Sequence, residues 1–557
     1  MRHFDADILI IGAGGAGMYA ALGAVKGGAE RVLLVDKSMI GRGGATVMAQ
    51  MTVAAALAEE CPDSWESHLE DTIAAGRGLC EEELSALLCR EAPQRIRELD
   101  GWRIGWARRA DGRIAQVSAP GHSRPRCCYV DFLATGTALA QTLRRRIVRE
   151  SAITKIDTFT VTDLLVDEGE CVGAAGFDFA ACEPATIAAK AVVLATGGLS
   201  RIFRRNSASA NLGGEGYALA LQAGALLRDM EFVQFFPIGH LAPRLVGVDP
   251  ILWDPFRYKL GGKLLNGKGE EFLDCYGSDE EPGYTTPRDL LTYAITKEVA
   301  AGRGSPKGGV YLSFAHVGKE RIDKAFGPVV ERLRTGGVDL EKGPVEVAPI
   351  AHYHMGGVRV GARLESSLPG LFAAGEAAGG ANGANRLSGN AIPEALVFGE
   401  NAGRFAAEYA RGRQNLSSPQ GAREAVDRLR QAAAGRKGEK PALALLEELR
   451  DVMWNAVGPF RNESALEDAT QRIGALRRAL PLAAIAPVKG FNPMLADWFE
   501  LKGSLVAAEA VARAATLRRE SRGAHQREDF PASDPALEKT LLVEMDRDGR
   551  VRARFCR

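Results

Sequence analysis

The feature that most constrains this chain is a glycine-rich turn, Gly12-Ala13-Gly14-Gly15-Ala16-Gly17, set directly after the apolar run Ile8 to Ile11. A second apolar run, Val32 to Val35, ends at Asp36, nineteen residues past Gly17. A strand, a tight turn, a helix and a second strand ending in an acid is the order that a dinucleotide pyrophosphate needs. Gly12 permits the turn, Gly14 lets the backbone approach the phosphates, Gly17 lets helix and strand pack, and the helix N-terminus faces the negative charge. Asp36 is then placed to accept from an adenosine ribose hydroxyl. Glycine turns also join strand to helix where no ligand binds, but here both flanking strands and the acid stand at the expected spacing.

At 557 residues the chain has length for about two to four domains. Lys+Arg and Asp+Glu both total 70, so net charge is zero and nothing in the balance selects a nucleic acid or an acidic surface. The runs Arg144-Arg145-Arg146 and Arg518-Arg519 lie in helical patterns and read as solvated faces. Nine cysteines contain no Cys-x-x-Cys spacing, which predicts a reduced compartment and argues against an iron–sulfur cluster in this chain. Cys127-Cys128 is the one close pair, and neighbours in a strand point to opposite faces, so it reads as structural. A strand begins by about residue 6, leaving no room for a signal peptide, and no apolar stretch approaches the roughly 20 residues that span a bilayer. The expected location is cytoplasmic, with any attachment to the inner face of a membrane made through a partner.

The organisation expected is an α/β dinucleotide-binding domain over 1–229, an α+β insert over 230–345, a return to the first domain over 346–411, a polar linker over 412–440, a helical bundle over 441–531 and a tail over 532–557. The stretch Thr186 to Gly198 reads as a strand entering a second glycine turn, Thr196-Gly197-Gly198. The strand Leu371 to Glu376 leads into a loop, Gly379 to Gly389, before a helix from Pro393.

Four further segments follow in order: Pro287-Arg288-Asp289, His352-Tyr353-His354-Met355-Gly356-Gly357, Gly383-Ala384-Asn385-Arg386-Leu387 and Glu520-Ser521-Arg522-Gly523-Ala524-His525-Gln526-Arg527-Glu528-Asp529. Together they resemble motifs of the succinate dehydrogenase/fumarate reductase flavoprotein family, which includes L-aspartate oxidase, over about residues 5 to 531. The resemblance implies a Rossmann-like FAD-binding domain interrupted by an α+β capping domain, with a C-terminal helical domain. It implies hydride transfer between the flavin and one carbon of a C–C bond next to a carboxylate, while a side chain moves a proton at the other carbon. The FAD contacts it implies are Gly12, Ala13, Gly14, Gly15, Ala16 and Gly17; Asp36, Lys37 and Ser38; the loop Gly43, Gly44, Ala45, Thr46 to Gln50; Thr196, Gly197 and Gly198; Glu215 and Glu376; and the backbone of Ala391 and Ile392. Glu215 stands where the family usually has Asp.

The substrate residues also follow from chemistry. A carboxylate conjugated to a C=C gains electron density as hydride arrives, so it wants fixed donors that strengthen with that charge. Arg386 offers a planar two-pronged grip and His352 a further donor; taken outside these motifs, Arg386 reads more readily as a salt bridge and His352 as a satisfied core histidine. Arg288 matches the family's proton donor, with Asp254 and Arg257 at the positions of its relay acid and second arginine. Arginine holds its proton to a pKa above about 12, so this role needs a strongly basic carbanion and a relay that returns the proton.

The chain departs from the family at several points. Ala45 stands where the respiratory members carry the histidine that bonds covalently to FAD, so FAD is expected to be non-covalent. Phe236 and Trp253 occupy the positions of a histidine and a threonine that grip the second carboxylate of fumarate. Burying an unpaired carboxylate against such rings costs several kcal/mol, whereas an apolar group there gains roughly 1.5 to 3 kcal/mol. The expected substrate is therefore an acid with an apolar or bulky distal group; the alternatives are a register offset or a contact restored by His240. Asn382 replaces a histidine, and Ala391 a serine, beside the flavin.

The expected activity is oxidation or reduction of the bond next to a carboxylate, with electrons exchanged with a separate iron–sulfur or quinone-linked partner. Other readings are an oxygen-using amino-acid oxidase like L-aspartate oxidase, an adenylylsulfate-reductase-like flavoprotein whose two aromatic residues embrace an adenine, and a non-catalytic electron-transfer scaffold.

Overall fold

The computed structural model describes residues 2–50, 52–131, 134–245, 251–276, 288–414 and 419–556. They form two compact units: Met1–Arg204 with Ala208–Val233 and Tyr353–Arg557, and a smaller one of Arg205–Ser207 with Gln234–His352.

The larger unit is built on a sheet with a parallel centre. Strand β1 (Arg2–Ile11) pairs on one side with β2 (Val32–Val35), Ile8 opposite Val32, and on the other with Glu183–Leu194, Ile8 opposite Ala191. Residues Ile8 to Ile11 and Val32 to Val35 are buried throughout, which is why they read as unbroken apolar runs and not as alternating ones. Strand Glu183–Leu194 serves two neighbours in succession. Its first half pairs antiparallel with Glu170–Asp178, and its last residues pair parallel with Leu371–Ala373. The chain that returns from the smaller unit thus rejoins the sheet beside the strand that leads into Thr196-Gly197-Gly198.

Helix α1 (Gly15–Lys26) leaves the glycine turn and packs on the helix Ala391–Ala410 through small residues. A Cβ on Gly23 would lie 2.2 Å from the Glu400 carbonyl oxygen, and one on Gly403 2.0 Å from that of Ala20. Backbones approach so closely only where side chains are missing. A Cβ on Gly375 would meet both Ala16 and Ala395, so this contact sets the first turn of the second helix against the glycine turn.

Two stretches are more ordered than their composition predicts. Pro419–Ala433, inside the expected linker, is a helix. Its Leu429 and Ala432 pack with Phe177, Ile485, Leu495 and Phe499, and its Ala425 with Leu165, Val172 and Ala175. The expected tail holds a hairpin, Leu541–Met545 with Val551–Phe555, whose first strand pairs with Leu227–Arg228. Helices Ala442–Ala456, Glu463–Ala479 and Pro493–Leu517 form the C-terminal helical part.

The smaller unit carries a four-stranded sheet in the order Val233–Ala242, Val345–His354, Val310–Ser313, Lys263–Leu265, with helices Asp254–Leu260, Arg288–Ala300 and Lys319–Thr335. Its limits differ from the expected 230–345. Strand Val345–His354 runs on without a break into the His352 motif, and Asn206 bridges to Ala351 in that strand. Among the described residues no helix is long and apolar enough to cross a membrane.

Candidate functional site

In the larger unit the glycine turn is dictated by sterics at two positions. Gly12 has φ +99° and an added Cβ would sit 2.4 Å from the Ala195 carbonyl oxygen; one on Gly17 would sit 1.7 Å from the Gly12 carbonyl oxygen. Gly14 is different. The nearest atom to a Cβ there is Thr46 Oγ1 at 3.8 Å, so the protein itself does not demand a glycine, whereas a bound phosphate would.

Asp36 braces this turn: one carboxylate oxygen accepts from the Ala13 N–H at 2.6 Å, the other from the backbone and hydroxyl of Ser38, both at 2.7 Å. Asn211 Nδ2 also lies 3.4 Å from the oxygen that serves Ser38, but among the described residues the other oxygen takes only the Ala13 N–H, so a lone pair there remains for a ribose hydroxyl. The loop after β2 is tied to the same turn, with Thr46 Oγ1 accepting from the Gly15 N–H at 3.0 Å and Ser209 Oγ from that of Gly44 at 2.9 Å. Within that stretch residues Gly44–Met48 form a short helix, on which Ala45 lies exposed. Lys37 pairs with Glu215, the first residue of helix Glu215–Gln222. Burial alone would lower the Lys37 pKa, but Glu215 and Glu500 outweigh it and hold it above the usual value.

Thr196 Oγ1 is buried with no hydrogen-bond partner among the described residues, a polar atom that awaits a ligand or water. Gly198 is needed because a Cβ there would lie 2.2 Å from Glu376 Oε1. That carboxylate accepts from the His354 N–H at 3.0 Å, while the Tyr217 hydroxyl donates to the Glu376 carbonyl at 2.7 Å. Ala391 and Ile392 open a helix, where the first N–H groups have no intrahelical acceptor. An open Gly14, an orphaned Thr196 hydroxyl and a helix N-terminus beside the turn fit an extended dinucleotide such as FAD.

Arg386 lies close by and buried, its guanidinium 4.5 Å from the centroid of the Tyr353 ring. The Tyr353 hydroxyl donates to Glu394, which also accepts from Asn382 Nδ2 at 2.8 Å. Burial pushes both Glu376 and Glu394 up to about 7. Hydrogen bonds and Arg386 pull the other way, and Glu394 raises Glu376 further. The C-terminal motif supports this loop from behind: the Ala524 N–H donates to the Ala384 carbonyl at 2.9 Å, and Gly523, at φ +53°, has room for no Cβ there.

Arg518, read above as part of a solvated face, is fully buried and paired with Glu231 and Glu520. It stands where helix Pro493–Leu517 ends, so helical periodicity does not govern its direction.

In the smaller unit, His352 is half-buried and its Nδ1 lies 2.8 Å from the Ser207 hydroxyl. The Phe236 ring stands edge-on to it, centroids 5.5 Å apart. Trp253 is fully buried against Phe256, with ring centroids 4.9 Å apart. Its indole N–H donates to His240 Nδ1 at 3.2 Å, and His240 Nε2 donates to the Pro243 carbonyl at 2.5 Å. Both His240 nitrogens are thus engaged, which weighs against His240 as a replacement carboxylate donor. Arg257 is buried one turn along the helix that Asp254 begins, and Arg288 begins the helix Arg288–Ala300. The side chains of Asp254 and Arg288, and Pro287 altogether, lie outside the described residues.

The sequence reading missed Ser207, Tyr353 and Glu394 as parts of these clusters. Ser207 and His352 are 145 positions apart and Tyr353 and Glu394 are 41 apart, so no local pattern links them; only the adjacency of Tyr353 to His352 was a signal.

Residues 7–392 match the family model described as FAD binding domain, and residues 446–555 that described as fumarate reductase flavoprotein C-term. The fumarate reductase (CoM/CoB) of Methanothermobacter marburgensis has a subunit that is 36% identical to this chain over 97% of each. Of solved structures, Mycobacterium smegmatis Sdh1 in complex with UQ1 superposes with a TM-score of 0.90 at 35% identity, covering 100% of this chain and 94% of that one. Escherichia coli quinol fumarate reductase FrdA gives 0.91 at 31%, covering 100% and 97%. The chain belongs to the succinate dehydrogenase/fumarate reductase flavoprotein family. It binds FAD and is an oxidoreductase acting on a CH–CH bond.

Proposed function

We propose that this flavoenzyme reduces or oxidises the C–C bond next to the carboxylate of an acid whose far end is apolar or bulky, and that it exchanges electrons with a separate iron–sulfur or quinone-linked partner. FAD supplies or accepts the hydride; the chain does the rest. Arg386 and His352 hold the carboxylate. With its proton on Nε2, His352 can donate to the substrate while its Nδ1 accepts from the Ser207 hydroxyl 2.8 Å away. Arg288 delivers or removes the proton at the carbon that takes no hydride, with Asp254 and Arg257 as its relay. The location proposed is cytoplasmic, with any membrane contact through the partner.

The observation that carries the substrate class is the Phe236 ring packed on His352, where a histidine would have offered a second carboxylate a donor. Supporting it, the Trp253 indole N–H is already committed to His240. The names of relatives, a quinol fumarate reductase and a structure with UQ1, support a quinone-linked electron route. In an anaerobic test, reduced holoenzyme is expected to be reoxidised by 3-phenylacrylate at least 10-fold faster than by fumarate at equal concentration, the worth of about 1.4 kcal/mol. Equal rates, or fumarate ahead, would remove the basis for the apolar end.

Ala45 offers no ring nitrogen for a covalent bond, so FAD is held by contacts alone. Acid precipitation is expected to leave all the flavin in the supernatant, and a yellow pellet would contradict this.

A further inference from the structure

Arg386 sits on a support that its role as an anion grip does not by itself explain. Its guanidinium lies over the Tyr353 ring, 4.5 Å from the centroid. The guanidinium also donates to the Leu387 carbonyl at 3.2 Å, and the ring beneath it is fixed at its far end: the Tyr353 hydroxyl donates to Glu394, in the first turn of helix Ala391–Ala410. The same Glu394 oxygen accepts from Asn382 Nδ2 at 2.8 Å. Asn382 precedes Arg386 by four residues in one loop, so the contacts close a circuit through loop, helix and strand. All four side chains are buried. A glutamate with two hydrogen-bond donors is a costly way to fill a core position, since carboxyl burial is unfavourable unless the group is satisfied. Tyr353 also packs with Leu79, Phe232, Met355 and Ala384, apolar side chains that would accept a phenylalanine.

We infer that Tyr353 and Glu394 are positioning residues: Glu394 pins the Tyr353 hydroxyl so that the ring face holds the Arg386 guanidinium for a substrate carboxylate. Tyr353 follows His352 in strand Val345–His354, so the same pin steadies the strand end that carries the second donor. The inference rests on the proposed role of Arg386 as carboxylate grip.

The test measures dissociation constants of phenylacetate and malonate from the difference spectrum of the oxidised flavin, together with FAD content and Tm, in holoenzyme variants. Tyr353→Phe keeps the ring and loses the pin. Glu394→Leu loses it from the other side, and Glu394→Gln keeps an acceptor oxygen without the charge. Expected are about 10-fold weaker binding in Tyr353→Phe and Glu394→Leu, within the range of a buried cation–ring contact. Near-normal binding is expected in Glu394→Gln, and full FAD content throughout. Should Glu394→Leu not fold, Tyr353→Phe decides alone. Unchanged affinity in Tyr353→Phe while Arg386→Gln binds poorly would overturn the inference, as would Glu394→Gln failing as badly as Glu394→Leu. If Arg386→Gln binds both acids normally, or neither acid perturbs the wild-type flavin, the site reading itself falls and the inference with it.

Discussion

Replacing Arg288 by lysine is expected to leave FAD bound and to lower turnover about 1,000-fold or more, within the span attributed to a positioned general acid. Lysine keeps the positive charge and, with a pKa near 10.4, is the stronger acid. Charge and acidity alone therefore predict an active variant. What lysine lacks is a planar guanidinium whose separate N–H groups can face a substrate carbon and a relay carboxylate at once. Arg288 opens helix Arg288–Ala300, and Asp254 and Arg257 share a second short helix of the same unit. Single-turnover reduction of the acid, followed with the flavin spectrum, separates loss of proton delivery from loss of cofactor. Activity within about 10-fold of wild type, with FAD bound, would rule out Arg288 as the proton donor.

Phe236→His is expected to move the enzyme toward dicarboxylates, raising kcat/KM for fumarate about 100-fold and lowering that for 3-phenylacrylate. An imidazole is close in size to the ring it replaces, so the site at His352 is preserved while a donor appears. The energy involved is several kcal/mol for an otherwise unpaired carboxylate, against which a 100-fold change, about 2.7 kcal/mol, is moderate. Trp253→Thr is the less clean partner. Trp253 is fully buried on Phe256 and bonded to His240, so its truncation leaves a cavity and costs roughly 3 to 5 kcal/mol of stability. A Phe236→His variant that still prefers the arylacrylate by the wild-type margin would show that this position does not read the distal group.

The cofactor half of the site was legible because its logic is local. One turn, two strands and an acid lie within 36 residues, and Gly12 and Gly17 do the steric jobs in the structure that their spacing predicted. The residues proposed to hold the substrate stood out only as motifs, and Ser207 and Glu394 did not, since they reach their partners through the tertiary fold. Helix Pro419–Ala433 was hidden by composition: the polar stretch around it, rich in Arg, Gly and Ser, read as a linker, although Ala422, Ala425, Val426, Leu429 and Ala432 keep helical spacing. The terminal hairpin was likewise present in the apolar run Leu541 to Val543 and the alternation of Val551–Phe555, on either side of Asp548-Gly549. Arg518 shows the opposite limit, where a residue one step past a helix end follows its ion pairs and not the helical face.

The central claim is a cationic grip on one carboxylate facing a pocket end without donors. A crystal structure of the oxidised holoenzyme with 3-phenylpropanoate tests it most directly. The carboxylate is expected on His352 and Arg386, with the phenyl ring toward Phe236 and Trp253. A carboxylate lodged against Phe236 and Trp253, or His352 and Arg386 both turned away from the bound acid, would contradict it.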